Sequence, residues 1–131
     1  YKMKKLLLLL LLIPNLVMAE KVLYCQDELV TGIVKKNGVW KTGNFKPLRQ
    51  TIKFNDDYTE LVGFDETMNC NKPYELSKYS NLIYCIDQYQ NSKFVYNNLT
   101  KRYTFAFITP FSYVENGSDT STISSGTCEA F

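Results

Sequence analysis

Short runs of β-branched and aromatic residues, each cut by turn residues, fill the chain beyond residue 20, and this alternation limits the fold more than any other feature. Gln50-Thr51-Ile52-Lys53-Phe54 alternates polar and apolar. Asn55-Asp56-Asp57-Tyr58 reads as a turn, and Glu60-Leu61-Val62-Gly63-Phe64 returns. Lys93-Phe94-Val95-Tyr96, a turn over 97–100, and 101–107 form a second hairpin, with Tyr103, Phe105 and Phe107 on one face. Asn37-Gly38 joins Val34-Lys35-Lys36 to Val39-Trp40-Lys41 and suits a two-residue turn that needs positive φ at both positions. Asn116-Gly117 marks another reversal before 120–124, and 126–131 closes the chain. The stretch 69–81, with Pro73, reads as a long loop with one helical turn near Glu75-Leu76. No segment holds apolar residues at helical spacing for three turns.

The expected class is therefore all-β: a small antiparallel meander of about eight to ten short strands. A meander of this length must deal with its edges, and closure removes them, so a barrel-like sheet is favoured over a sandwich. Four cysteines, Cys25, Cys70, Cys85 and Cys128, show neither the Cys-x-x-Cys of a redox pair nor the close spacing of a zinc site. They read as two structural disulfides. Barrel closure makes the first and last strands neighbours, which favours Cys25–Cys128 with Cys70–Cys85. Cys25–Cys70 with Cys85–Cys128 is the next pairing.

The beginning of the chain reads as an export signal over residues 1–19. Met3-Lys4-Lys5 is a basic start, 6–13 is unbroken apolar sequence, and Val17-Met18-Ala19 places small or branched residues before a cut after Ala19. The apolar run is well short of the ~20 residues a spanning helix needs. Cys25 follows the bulky Tyr24, not the small residue that precedes a lipid-modified cysteine. Cleavage would leave one domain, 20–131, periplasmic or secreted, with no stable membrane anchor. Removing 19 of the 131 residues leaves 112, and loss of Lys2, Lys4 and Lys5 leaves 12 basic against 13 acidic residues. A net charge near zero without a basic stripe argues against a nucleic-acid partner. A monomer is expected.

Chemistry is scarce. The chain has no His, which removes Ser-His-Asp and Cys-His catalysis. No phosphate-binding glycine loop or calcium loop occurs, and nothing calls for a cofactor or a metal. Asp56-Asp57 is explained by turn formation. Asp27, Glu28, Asp65, Glu66 and Asp87 could supply the carboxylate pair of a hydrolase, but no spacing selects two of them. Aromatics are abundant: one Trp, ten Tyr and eight Phe. Phe54, Phe94, Phe105 and Phe107 read as core. Trp40, Phe111 and Tyr113 form a possible interaction surface, with Pro110 bending the chain beside them. Asn98-Leu99-Thr100 and Asn116-Gly117-Ser118 fit the N-glycosylation pattern and fall in turns.

Several stretches carry a resemblance. They are Cys25-Gln26-Asp27-Glu28 with Thr31-Gly32, Thr51 to Phe54 with Asp57-Tyr58-Thr59, Phe94-x-Tyr96-Asn97 with Thr100-x-Arg102-Tyr103-Thr104, and Gly126-Thr127-Cys128-Glu129-x-Phe131. This layout resembles a group of small uncharacterised exported proteins of marine bacteria, which implies export and a single domain but no mechanism. Tyr96-Asn97-Asn98-Leu99-Thr100-Lys101 is similar to a cleft-inserting stretch of the periplasmic inhibitors of c-type lysozyme, which are small disulfide-bearing barrels. Arg102 stands where those inhibitors have Gly, and Ser125-Gly126 follows the stretch where their Ser-Gly precedes it. The sequence thus points to a non-catalytic exported β module that binds a small apolar ligand or a protein. Enzyme docking of the lysozyme-inhibitor kind and carboxylate hydrolysis are the alternatives.

Overall fold

The computed structural model describes residues 21–71, 81–108 and 119–130. They form nine strands: β1 (Lys21–Lys36), β2 (Val39–Thr42), β3 (Arg49–Phe54), β4 (Glu60–Gly63), β5 (Glu66–Asn71), β6 (Leu82–Asp87), β7 (Ser92–Asn97), β8 (Arg102–Phe107) and β9 (Asp119–Ala130). All pairings are antiparallel. β3 to β9 pair in sequence order, β1 pairs with both β3 and β9, and the sheet closes as an eight-stranded barrel. β2 pairs with β1 alone.

β1 and β9 are longer than the short strands expected, at 16 and 12 residues. Their length does two jobs. The first half of β1 pairs with β3 through Lys21↔Phe54 to Gln26↔Arg49, and its last residues pair with β2 through Ile33↔Thr42 to Lys36↔Val39. β9 runs along the other edge of β1 from Ala130 to Asp119. The far part of β1 and β9, with β2, therefore extends the wall at one end of the barrel. Asn37 and Gly38 take positive φ there, as the turn requires.

An eight-stranded barrel is just wide enough for side chains to fill. Its middle is filled here. Ile52, Phe54, Leu61, Met68 and Phe94 are fully buried, and Ile83 and Tyr96 are 1% exposed. Each such side chain contributes roughly 1.5–3 kcal/mol relative to exposure. The Phe54 ring lies 5.8 Å from that of Tyr96 and 6.4 Å from that of Phe94. The charged residues Lys53, Glu60, Lys93, Arg102 and Glu129 are exposed. The middle of the barrel is therefore apolar, and the buried charges Asp27, Lys35, Asp87 and Asp119 stand apart from it.

Both disulfides join directly opposed residues of neighbouring strands: Cys25–Cys128 across β1 and β9, and Cys70–Cys85 across β5 and β6. The first ties the opening strand to the closing one, as barrel closure predicts. Two disulfides suit an oxidising compartment, extracellular or periplasmic. The turn after β3 is also as read. Asn55 Oδ1 accepts from the backbone N–H of Thr59 at 2.9 Å and of Glu60 at 2.8 Å, and the Thr59 hydroxyl donates to Asp57 at 2.7 Å. That hydrogen bond holds the exposed Asp57 carboxyl below its ordinary value.

Three readings change. Asn69 to Asn71 belong to β5 rather than to a loop, because the pairs Asn69↔Ile86 and Asn71↔Tyr84 extend the ladder on both sides of the disulfide. β9 is one strand, not a strand plus a closing tail, because it has β1 and β8 on its two edges. Phe105 and Phe107 are half-buried, not core, since they stand at the end of β8 where the packed interior stops. Residues 1–20, 72–80, 109–118 and 131 lie outside the described residues. So do the leader, Glu75-Leu76, Pro110, Asn116-Gly117, and the surface residues Phe111 and Tyr113.

Candidate functional site

The barrel end that carries the β2 extension is not packed like the middle. A cavity of about 310 Å³ opens there, between the interior and the connection from β2 to β3. Its wall combines Val30, Phe45, Leu48, Phe64 and Phe105 with Asp27, Gln50, Thr122 and Ser124, and Lys46 stands at its rim. Depressions on the outer wall are larger, such as one of about 550 Å³, but that one is bordered by exposed residues including Tyr24, Gln26, Arg49 and Glu129. The mouth cavity combines the buried Asp27 with a wall of three phenylalanines.

Asp27 continues the inward alternation of Leu23 and Cys25, and an irregularity in β1 follows it. The register passes from Asp27↔Gly126 to Leu29↔Ser125, so Glu28 is an extra residue, a β-bulge. Glu28 points out and accepts from Arg102 Nη2 at 2.6 Å, with both side chains about half exposed. Asp27 points in and is 8% exposed. Both its oxygens accept. The Tyr103 hydroxyl donates to Oδ1 at 2.5 Å, and the Leu48 N–H donates to Oδ2 at 3.0 Å. The Asp27 N–H in turn donates to the Leu48 carbonyl at 2.9 Å. One residue thus pins the 43–48 connection to the barrel wall.

Tyr103 reaches Asp27 from β8, two strands away. The strand between them contributes Gly126, which faces both residues in the register. A Cβ at Gly126 would lie 2.8 Å from the Tyr103 hydroxyl and 2.0 Å from the Gln26 carbonyl oxygen. The absence of a side chain there lets the phenol cross. Burial pushes the Tyr103 hydroxyl well above its ordinary range, and the hydrogen bond to Asp27 adds to it.

The aromatic side of the cavity has its own construction. Phe64 and Asp65 form the two-residue turn between Gly63 and Glu66, with φ of 55° and 59°. A bulky residue rarely takes that conformation. It places the Phe64 ring on that of Phe105, parallel within 5° at a centroid distance of 4.1 Å. Phe94 closes the floor 5.3 Å from Phe64. Phe45 enters from the 43–48 connection and lies over Gly32, whose Cβ position is 3.0 Å from the Phe45 ring.

Of the five acids considered in the sequence, Asp27 alone lines this cavity. Asp65, Glu66 and Asp87 border a separate depression with Tyr89. Asp87 Oδ1 accepts the Ser92 N–H at 2.9 Å and so closes its own hairpin. Among the described residues no group of three His, Cys, Asp or Glu side chains is placed to hold a metal. Trp40 is 36% exposed on β2, away from the cavity, with the Lys35 ammonium 5.8 Å from its ring centre. Tyr96 is in the core and Asn97 ends β7, while 98–101 form the largely exposed turn to β8, and Ser125-Gly126 lies within β9. Asn98, in the first sequon, sits in the β7–β8 turn.

Sequence reasoning missed Phe64, Phe45 and Gly126 as site residues. A Phe in a two-residue β-turn was the available signal for the first. The second depends on a connection whose path no local pattern encodes. Comparison with protein-family models, with curated proteins and with solved structures gives no match.

Proposed function

We propose that this protein is an exported, non-catalytic β-barrel that binds a small, largely apolar molecule at its mouth. The observation that carries this reading is the cavity itself, which stays open beside a fully packed core. Its volume, about 310 Å³, is at the lower end of small-molecule sites, which are mostly apolar with a few placed polar groups. The leader pattern over 1–19 and the two disulfides support export. The test is to export the chain in a bacterial host, purify it gently, and compare native with denaturing mass. A small extra mass that leaves on denaturation, and is absent from Phe105→Ala, supports the reading. An empty protein that also takes up no small aromatic probe opposes it.

A protein partner is the second reading, supported by one observation. Leu29, Ile33 and Ile123 stand 66%, 43% and 47% exposed on the outer face of β1 and β9. Such a cluster on a water-facing wall favours contact with another surface. A co-purifying protein mass lost in Ile123→Lys, with cavity binding unchanged, would favour it over the first.

A further inference from the structure

The chemistry of the mouth selects among small molecules. Asp27 is a largely buried carboxyl group at the cavity wall, and its partners are two neutral donors, the Tyr103 hydroxyl and the Leu48 N–H. Among the described residues no Lys or Arg forms an ion pair with it. A buried charge of this kind is normally compensated by an opposite charge. Each carboxylate oxygen can accept more than one hydrogen bond, so Asp27 keeps acceptor capacity on the cavity side. The opposite wall is the Phe64–Phe105 stack, with Phe45 beside it. Aromatic faces attract cations and accept apolar groups equally well. Lys46, the other charged residue at the cavity, is exposed at the rim, where water and salt screen its ammonium.

Resting on the mouth-binding reading, we infer that the preferred ligand is a compact amine: an ammonium group set against Asp27, with an apolar or aromatic body between Phe45, Phe64 and Phe105. The amine would supply a countercharge that no Lys or Arg among the described residues gives the carboxyl group. Its body would replace water against the rings. A carboxylate of the same shape would meet Asp27 as a like charge and be rejected.

The test uses three probes of similar size and one ring, phenethylamine, phenethyl alcohol and phenylacetate, titrated into the oxidised protein and followed by amide chemical shifts. The expected order is phenethylamine first by about tenfold or more over phenethyl alcohol, since a charge-assisted hydrogen bond is roughly twice as strong as a neutral one. Phenylacetate should bind most weakly. Asp27→Asn should erase the preference for the amine while retaining weak binding of the alcohol. Because that variant could unfold, Tyr103→Phe serves as a second: it keeps the carboxylate and should keep the amine preference. Equal binding of all three probes at the mouth would overturn the amine inference and leave the cavity reading standing. Preferential binding of phenylacetate would overturn it in favour of an anion held by Lys46. Failure of all three to bind would overturn both.

Discussion

Tyr103 on β8 donates its hydroxyl hydrogen bond to Asp27 on β1 across the whole width of β9, over the bare backbone of Gly126. This link sits between the filled core and the open mouth. It ties three strands at the seam where the barrel closes, and it fixes the one buried charge that the cavity presents.

Gly126→Ala should be among the most damaging small substitutions. The new methyl would meet the Gln26 carbonyl oxygen at 2.0 Å, and backbone cannot move aside as a flexible side chain can. Overpacking of this kind costs about 1–3 kcal/mol and sometimes more. Thermal unfolding should show a loss of several degrees or more. A melting temperature equal to that of the parent would show that the seam is looser than described.

Tyr103→Phe keeps the ring against Phe94, 5.5 Å away, and removes only the donor to Asp27. A buried acceptor that loses its partner costs about 1–3 kcal/mol. In a double-mutant cycle with Asp27→Ala, the two losses should be non-additive, since either variant removes the same contact. Strict additivity by urea unfolding would contradict the hydrogen bond.

Tyr96→Phe should do the opposite. Among the described residues the buried Tyr96 hydroxyl has no hydrogen-bond partner, so deleting it should be neutral or stabilise by about 1 kcal/mol. Burial, with Tyr58 nearby, pushes its phenol up to about 12. A raised folded value means that the unfolded chain ionises first, so stability is intact below the ordinary value near 10 and falls as pH rises toward 12. Tyr103 adds to that alkaline loss in the same direction. Unfolding free energies between about pH 9 and about pH 12 should therefore fall less steeply in Tyr96→Phe than in the parent.

The two disulfides should differ in weight. Cys25–Cys128 spans 103 residues and Cys70–Cys85 spans 15. The chain-entropy estimate is about 5 kcal/mol for the first and about 3 kcal/mol for the second. Replacing Cys25 and Cys128 together by Ser should lower the urea midpoint more than replacing Cys70 and Cys85. The reverse order would mean that the seam is held mainly by its ladder.

Much of this architecture was legible in the residues. Alternation located Gln50 to Phe54 and the β7–β8 hairpin, and the logic of closure paired Cys25 with Cys128, because period-two patterns and edge removal act locally and globally in the same sense. Asp27 is one of five acids the sequence offers, and it faces inward by the same alternation as Leu23 and Cys25, but no spacing separates it from the other four. The cavity wall was not legible. Phe105 was read as core because its strand face is correct, yet the core ends one layer earlier. Phe64 reaches the site through a turn conformation that a bulky residue seldom takes. Gly126 matters only once three strands are placed side by side.

The most direct test of the central claim is shift mapping with toluene on the oxidised, isotope-labelled protein. Amide shifts confined to Val30, Gln50, Phe64, Phe105 and their neighbours, and abolished in Phe64→Ala, are the predicted result. Shifts scattered over the outer wall, or none at saturating toluene, would contradict a binding cavity at the barrel mouth.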